Sequence, residues 1–253
     1  MATKTAQASA SSILKEVKQN KFQPVYFLFG EEPFFIDQIT NAIEKYALPA
    51  EAKSFNQVVL YGKDCNIGAI INNARRFPMM AERVVVIIKE AHSLPDWKNS
   101  EATNTLEKYL KSPQTSTVLV FAFKNKSFDK RVKIAKVLEE YTVFFESKKI
   151  SDAKLDSFVQ DQLAELNLKA ENNAIQLLTE NIGNDPSRIK SELDKLAINL
   201  KERRLLLTIF INLLVSLVNT TSLNYKKLWF SAILSSAIRL FNTSLKMAKL
   251  VIL

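Results

Sequence analysis

Runs of apolar residues alternate with amphipathic segments over about residues 25–145, and this alternation constrains the fold more than any other feature of the sequence. Consecutive aromatic and β-branched residues, as at 25–29, 84–88 and 117–123, are typical of strands buried on both faces. Weaker strands are predicted at 58–61 and 143–145, and helices at about 33–47, 67–76, 101–110 and 130–141. Strands that alternate with helices predict a parallel, doubly wound α/β sheet.

A second, purely helical pattern begins after residue 149. Amphipathic helices are predicted at 151–166 and 172–181, and Asp185-Pro186 is typical of a cap for a third that runs to about residue 200. We therefore expect four segments: an N-terminal tail with a first helix (1–20), a sheet domain (21–149), a small three-helix domain (150–202) and a C-terminal tail (203–253).

The net charge of +9 at pH 7 lies mostly in the C-terminal tail. Residues 1–202 contain 28 basic and 26 acidic groups, whereas the last 51 residues contain seven basic groups and no acidic one. Because residues 1–202 are nearly neutral, the net charge gives little support to the hypothesis that the protein is a general DNA-binding module. The sharp change indicates that two different sequence regimes meet near residue 202.

Few residues are available for redox or metal chemistry. The single Cys65 permits no intramolecular disulfide, and residues 1–12 lack the apolar segment of a signal peptide, so the predicted location is cytoplasmic. The single His92 argues against a multi-histidine metal site and against a conventional histidine-dependent triad. We expect no cofactor and no metal.

The loop after the first strand occupies the place where nucleotide-binding α/β domains carry their phosphate loop. It has one glycine, Gly30, and no Gly-Lys-Ser/Thr sequence, and the carboxylates of Glu31 and Glu32 would repel phosphate. The strand that ends at Lys89-Glu90 resembles the second NTPase motif, but lysine stands where an aspartate would hold magnesium. The residues argue against nucleotide binding, and an active ATPase stays as an alternative.

The segment Phe77-Pro78-Met79-Met80 stands between a predicted helix and the strongest strand. A connection that only crosses the surface should be mostly polar, so four apolar residues in a row require a reason. On the residues alone two interpretations stay open. The segment fills the core, or it forms an exposed plug of flexible side chains that enters an apolar pocket of a partner.

Four segments, in order, resemble the delta subunit of the bacterial DNA polymerase III clamp loader. The resemblance covers about residues 20–202 and rests on residues 24–33, 76–86, 127–131 and 187–196. It implies an AAA+-like sheet domain with a decayed nucleotide site, followed by a small three-helix lid. The residues of that decayed site are Gly30, Glu31, Glu32, Lys89 and Glu90.

The resemblance also implies a mechanical activity. The apolar segment Phe77, Pro78, Met79 and Met80 would bind the sliding clamp and help to open its ring for loading onto DNA, with Met79-Met80 as the inserted pair. The implied partners are the clamp, the ATPase and delta-prime subunits of the loader, and DNA only within the assembled loader. The chain would have no catalytic site of its own, although it would serve a DNA-directed DNA polymerase. Candidate DNA contacts are Lys124, Lys126, Lys130 and Arg131.

The tail departs from the family, whose helical collar is amphipathic and contains acidic residues. The tail is apolar and is expected to be helical or disordered. Its apolar residues 205–218 leave a tail-anchored membrane protein as an alternative, although this stretch is short for a bilayer span.

A third interpretation of the tail is translation in the wrong reading frame. The frame that starts at the third base of each codon admits charged, amphipathic strings for residues 219–229 and 231–249, and both resemble the collar. On this interpretation the collar is lost, assembly with the other loader subunits is weakened, and no genuine membrane association is expected.

Overall fold

A computed structural model describes residues 9–199 of the chain. The chain divides after Lys149 into two compact units. The tail from residue 203 onward, with its collar, membrane and reading-frame interpretations, lies outside the described residues, as do residues 1–8 and 200–202.

Five parallel strands form one sheet in the first unit, in the order β2-β3-β4-β1-β5. The strands are β1 (Val25–Gly30), β2 (Gln57–Tyr61), β3 (Val84–Lys89), β4 (Thr117–Lys124) and β5 (Val143–Ser147). The register places Phe27 of β1 beside Phe121 of β4 and Phe144 of β5. Because all five strands are parallel, their carboxyl ends meet at one edge of the sheet and their amino ends at the opposite edge.

Helices cover both faces of this sheet. They are α1 (Ala10–Lys18), α2 (Pro33–Tyr46), α3 (Lys53–Asn56), α4 (Ile67–Ala74), α5 (Ser100–Lys111) and α6 (Lys133–Tyr141). One core cluster contains buried residues of α4, α5 and α6, and a second contains those of α1 and α2. The side chains of β1 alternate between the two clusters, which explains why its sequence is apolar throughout. The predicted parallel α/β sheet with helices on both faces is confirmed.

One predicted helix begins later than its sequence pattern indicates. The pattern predicts a helix over 130–141, whereas α6 begins at Lys133. The carboxylate of Asp129 accepts a hydrogen bond from the Arg131 backbone N–H at 3.0 Å and pairs with the Arg131 guanidinium at 2.9 Å. This local bonding offers the backbone a turn in place of a first helical turn.

In the part of the second unit that the structure describes, residues 150–199, there are three helices. They are α7 (Asp152–Glu165), α8 (Asn172–Ile182) and α9 (Pro186–Asn199). Asp185 caps α9, because its carboxylate accepts a hydrogen bond from the Arg188 backbone N–H at 2.9 Å. The buried apolar residues of this unit are Leu155, Phe158, Val159, Leu163, Leu168, Ala174, Ile175, Leu178, Ile182, Ile189, Leu193 and Leu196. Between residues 9 and 199, no helix has both the length and the apolar character that a membrane span needs.

Two candidate functional sites at opposite edges of the sheet

Gly30 ends β1 at the carboxyl edge, and its backbone lies against the end of β5. Its φ of +140° is a conformation that residues with a side chain rarely adopt. A β-carbon at Gly30 would lie 2.0 Å from the carbonyl oxygen of Ser147. The same oxygen accepts a hydrogen bond from the Glu32 backbone N–H at 3.3 Å. The glycine therefore makes room for β5, where a phosphate loop would make room for phosphate.

Glu32 occupies the N-terminus of α2. Its buried side chain accepts a hydrogen bond from the Phe34 backbone N–H at 3.0 Å and caps the helix. The N-terminus of a helix carries partial positive charge and free N–H groups, which is why phosphate binds there in nucleotide-binding loops. Here a carboxylate of the chain itself takes that position. The backbone amides of Glu32 and Phe34 are both engaged within the protein.

An open basin of about 610 Å³ lies beside this loop. The residues that line it are all polar or charged: Glu31, Asn125, Lys126, Ser127 and Lys149. The carboxylate of Glu31 is 4.0 Å from the Lys149 ammonium. Because no apolar residue lines the basin, it is poorly suited to pack a nucleotide base.

Three of the four basic residues considered as DNA contacts are paired with carboxylates. Lys124 binds Asp37 and Lys130 binds Glu146, both at 2.8 Å, and Arg131 binds Asp129. The hydrogen bonds from Arg131 lower the pKa of Asp129 to about 2. The fourth residue, Lys126, lines the basin.

The end of β3 does not form the metal-holding arrangement of an NTPase. Lys89 is half-buried as the last residue of β3, and Glu90 is exposed with a φ of +53°. His92 lies in the short turn that follows, where burial, together with the nearby charge of Lys126, lowers its pKa. Across residues 9–199, no three His, Cys, Asp or Glu side chains are grouped so that they could hold a metal ion.

The apolar segment lies at the opposite, amino edge, in the connection from α4 to β3. The exposed fractions are 80% for Phe77, 56% for Met79 and 104% for Met80, and Pro78 is half-buried. The core-filling interpretation is therefore wrong. We call residues 77–80 the apolar loop.

The chain is anchored on both sides of the apolar loop. Before it, the carbonyl oxygen of Ala74 accepts a hydrogen bond from the Thr117 hydroxyl at 2.8 Å. After it, the guanidinium of Arg83 donates to the Asn20 side chain at 2.9 Å and lies 4.7 Å from the centre of the Phe22 ring. The loop thus projects from two fixed points.

Asn56 holds the loop itself, and no sequence motif identifies it as a residue of the site. Its side-chain oxygen accepts a hydrogen bond from the Met79 N–H at 2.7 Å, and its side-chain nitrogen donates to the Met79 carbonyl at 2.8 Å. The two residues are 23 positions apart, so no local pattern relates them. The sequence shows only an asparagine directly before a predicted strand.

The fold defines the class of this protein. The chain aligns with the solved clamp loader delta protein of Bacillus subtilis with a TM-score of 0.67 and 22% identity, over 94% of this chain and 72% of that chain. A DNA polymerase III gamma subunit-related protein from Thermotoga maritima aligns over 92% of each chain, with a TM-score of 0.40 and 11% identity. The fold is an AAA+-like α/β domain followed by a helical unit.

The sequence comparisons give a more specific similarity. Residues 26–148 match the family model for "DNA polymerase III, delta subunit". The chain is 29% identical over 150 residues to DNA polymerase III subunit delta of Bacillus subtilis, and the match covers 58% of this chain. The sheet domain of this chain is therefore similar to the DNA polymerase III delta-subunit family. The matched region spans 43% of the length of that relative.

Proposed function

We propose that the chain acts in DNA replication as the delta subunit of a bacterial clamp loader and binds the sliding clamp through the apolar loop. The observation that carries this proposal is the exposure of Phe77, Met79 and Met80 on a loop that the rest of the domain anchors. Exposed apolar side chains that are grouped in this way are typical of a protein interface. Flexible thioether side chains suit insertion into an apolar pocket.

The loop offers enough apolar surface to anchor a complex. Fully burying a Phe or Met side chain contributes about 1.5–3 kcal/mol. The three exposed residues would therefore contribute roughly 5–9 kcal/mol before the costs of association are subtracted. Such a contribution is of the size that hot-spot residues supply in protein interfaces.

Clamp opening follows if the chain binds the open ring more tightly than the closed one. A ligand shifts an equilibrium only by the difference between its affinities for the two states. The loop, with the surface around it, would favour a distorted subunit interface of the clamp, and no bond would be made or broken.

The carboxyl edge supports a subunit that does not itself hydrolyse ATP. The N–H groups of Glu32 and Phe34 are engaged by Ser147 and by the Glu32 carboxylate. The lysine of a phosphate loop is absent from the sequence there. ATP would be hydrolysed by other loader subunits, which are the further proposed partners, and DNA would be contacted only in the assembled loader.

The experiment compares binding of the full chain and of a Met79→Ala, Met80→Ala variant to the sliding clamp of the same organism by surface plasmon resonance. Losing two buried Met side chains is expected to raise the Kd at least about 100-fold. The matched control is Val132→Ala with Ile198→Ala, because both of these apolar residues are also exposed but lie outside the loop. Equal binding of the wild-type chain and the loop variant would refute the role of the loop, and no binding of the wild-type chain would refute the function.

Ring opening is tested separately with a clamp that carries a fluorophore pair across its subunit interface. The wild-type chain is expected to separate the pair without ATP, whereas the loop variant is expected to leave it unchanged. Binding without separation would contradict the opening step alone.

A further inference from the structure

Asn56 contacts the apolar loop through both polar atoms of its side chain. It is the last residue of α3, immediately before β2, and it is 1% exposed. Its amide accepts from the N–H of Met79 and donates to the carbonyl of the same residue, at 2.7 and 2.8 Å. A third hydrogen bond, to the carbonyl of Ala52 at 3.0 Å, fixes the orientation of the amide. Asn56 therefore pairs with Met79 much as a neighbouring strand would.

The loop adopts a conformation that requires such support. Met80 has a φ of +55°, in the left-handed region, which is unfavourable for a residue with a side chain. Its side chain is fully exposed, so burial does not compensate for that cost. Within the part of the chain that the structure describes, the hydrogen bonds from other segments to residues 77–80 all come from Asn56.

We propose that Asn56 is a positioning residue that holds the apolar loop in its binding conformation before the partner arrives. This inference rests on the clamp-binding function proposed above, and it assigns part of the affinity to a residue that is itself buried. A loop fixed in the bound conformation loses less conformational freedom on binding than a loop that samples several. When the competent conformation is populated only in part, the apparent affinity falls by that fraction.

The first test needs no clamp. Hydrogen exchange of the Met79 amide is measured by NMR in the full chain and in Asn56→Ala. We expect Met79 to be protected in the wild-type protein and to exchange at least about tenfold faster in the variant, because its N–H loses its acceptor. The amide of Val86 in the middle of β3 should keep its protection. Unchanged exchange of Met79 would overturn the inference, whatever the clamp binding shows.

The second test measures coupling. Asn56→Ala is expected to raise the Kd for the clamp about tenfold in the wild-type background and to have a clearly smaller effect when Met79 and Met80 are already alanine, because only Phe77 is then left to be positioned. A residue that only stabilised the domain would lower binding equally in both backgrounds. Additive effects would therefore overturn the positioning role, while failure of the wild-type chain to bind would overturn the proposed function itself.

Two further variants keep the test decisive. Asn56→Asp has nearly the same shape and keeps an acceptor for the Met79 N–H, but it places a second oxygen against the carbonyls of Met79 and Ala52. It should weaken clamp binding as much as Asn56→Ala does, and it replaces the alanine variant in both tests if that variant does not fold.

The matched control is Thr142→Val. This substitution removes another buried hydrogen bond, 2.6 Å from the Thr142 hydroxyl to the Leu138 carbonyl, at a position far from the loop in sequence. This control should change neither Met79 exchange nor clamp affinity, and a loss of affinity equal to that of Asn56→Ala would contradict the proposal.

Discussion

Replacing Gly30 with alanine should disrupt the contact between the ends of β1 and β5. The new β-carbon would lie 2.0 Å from the oxygen, 2.7 Å from the carbonyl carbon and 2.9 Å from the nitrogen of Ser147. All three atoms belong to the backbone, so no side chain can rotate away. Either β5 moves by about 1 Å or the turn after β1 changes its path.

The cost of Gly30→Ala is the sum of three contributions. A residue with a side chain at φ +140° is strained by about 1–3 kcal/mol. Overpacking against a fixed backbone costs about 1–3 kcal/mol, and loss of the hydrogen bond from Glu32 to Ser147 costs about 1 kcal/mol. We therefore expect the free energy of unfolding to fall by about 3–7 kcal/mol.

The assay is thermal unfolding monitored by circular dichroism, with Gly68→Ala as the matched control. For a chain of this size, at about 2–4 °C for each kcal/mol, the expected destabilisation lowers Tm by roughly 6–28 °C. Gly68 lies in α4, where the only neighbour of a new β-carbon would be the Asn66 side chain at 3.4 Å. Alanine there should stabilise the helix by about 0.5–1 kcal/mol. If Gly30→Ala unfolds within about 2 °C of the wild-type protein, the close approach of β1 and β5 is not as described.

Three further predictions concern the core, the decayed site and the tail. Burial raises the pKa of Tyr26 from its ordinary 10 to about 12, so its contribution to stability is present below pH 10 and is lost as the pH rises through 12. Ultraviolet titration of the wild-type protein against Tyr26→Phe measures this pKa, and a midpoint near 10 would contradict it. Glu32→Ala should lower stability by about 1 kcal/mol by removing the cap of α2, and a fluorescent ATP analogue should bind neither protein, because the Glu32 N–H stays on Ser147. Finally, the codons for residues 219–229, taken from the third base, should encode a string like Tyr-Asn-Lys-Phe-Glu-Leu-Gln-Lys-Ala-Leu, and sequencing the gene decides this.

The sheet could be predicted from the sequence because a strand that is buried on both faces is apolar at nearly every position. Each residue of β1 and the first five of β3 are buried, so their apolar runs identify them without reference to other segments. Boundaries that depend on a single side chain were harder to predict. The start of α6 depends on the bonds between Asp129 and Arg131, which compete with the helix locally.

The state of the apolar loop could not be predicted from its own residues. Phe, Pro and Met suit a core as well as an interface, and burial is decided by what surrounds them in three dimensions. The support of Met79 by Asn56 joins positions 23 residues apart across two connections of the sheet. Periodicity and spacing report only on neighbours along the chain, so they carry no information about such a contact.

The two edges of one parallel sheet should respond differently to mutation. In open parallel sheets ligands usually bind at the carboxyl edge, where loops and helix N-termini leave N–H groups free. In this chain the Glu32 N–H donates to the Ser147 carbonyl and the Phe34 N–H donates to the Glu32 carboxylate, so substitutions there should mainly lower stability. At the amino edge, Met79 and Met80 contribute little to the core, so their loss should leave Tm nearly unchanged and should affect only binding.

Asn56 combines features of both edges, because it is buried like a core residue yet bonded to the exposed loop. Its substitution should therefore change both stability and binding, and only the part that disappears in the Met79→Ala, Met80→Ala background belongs to the loop.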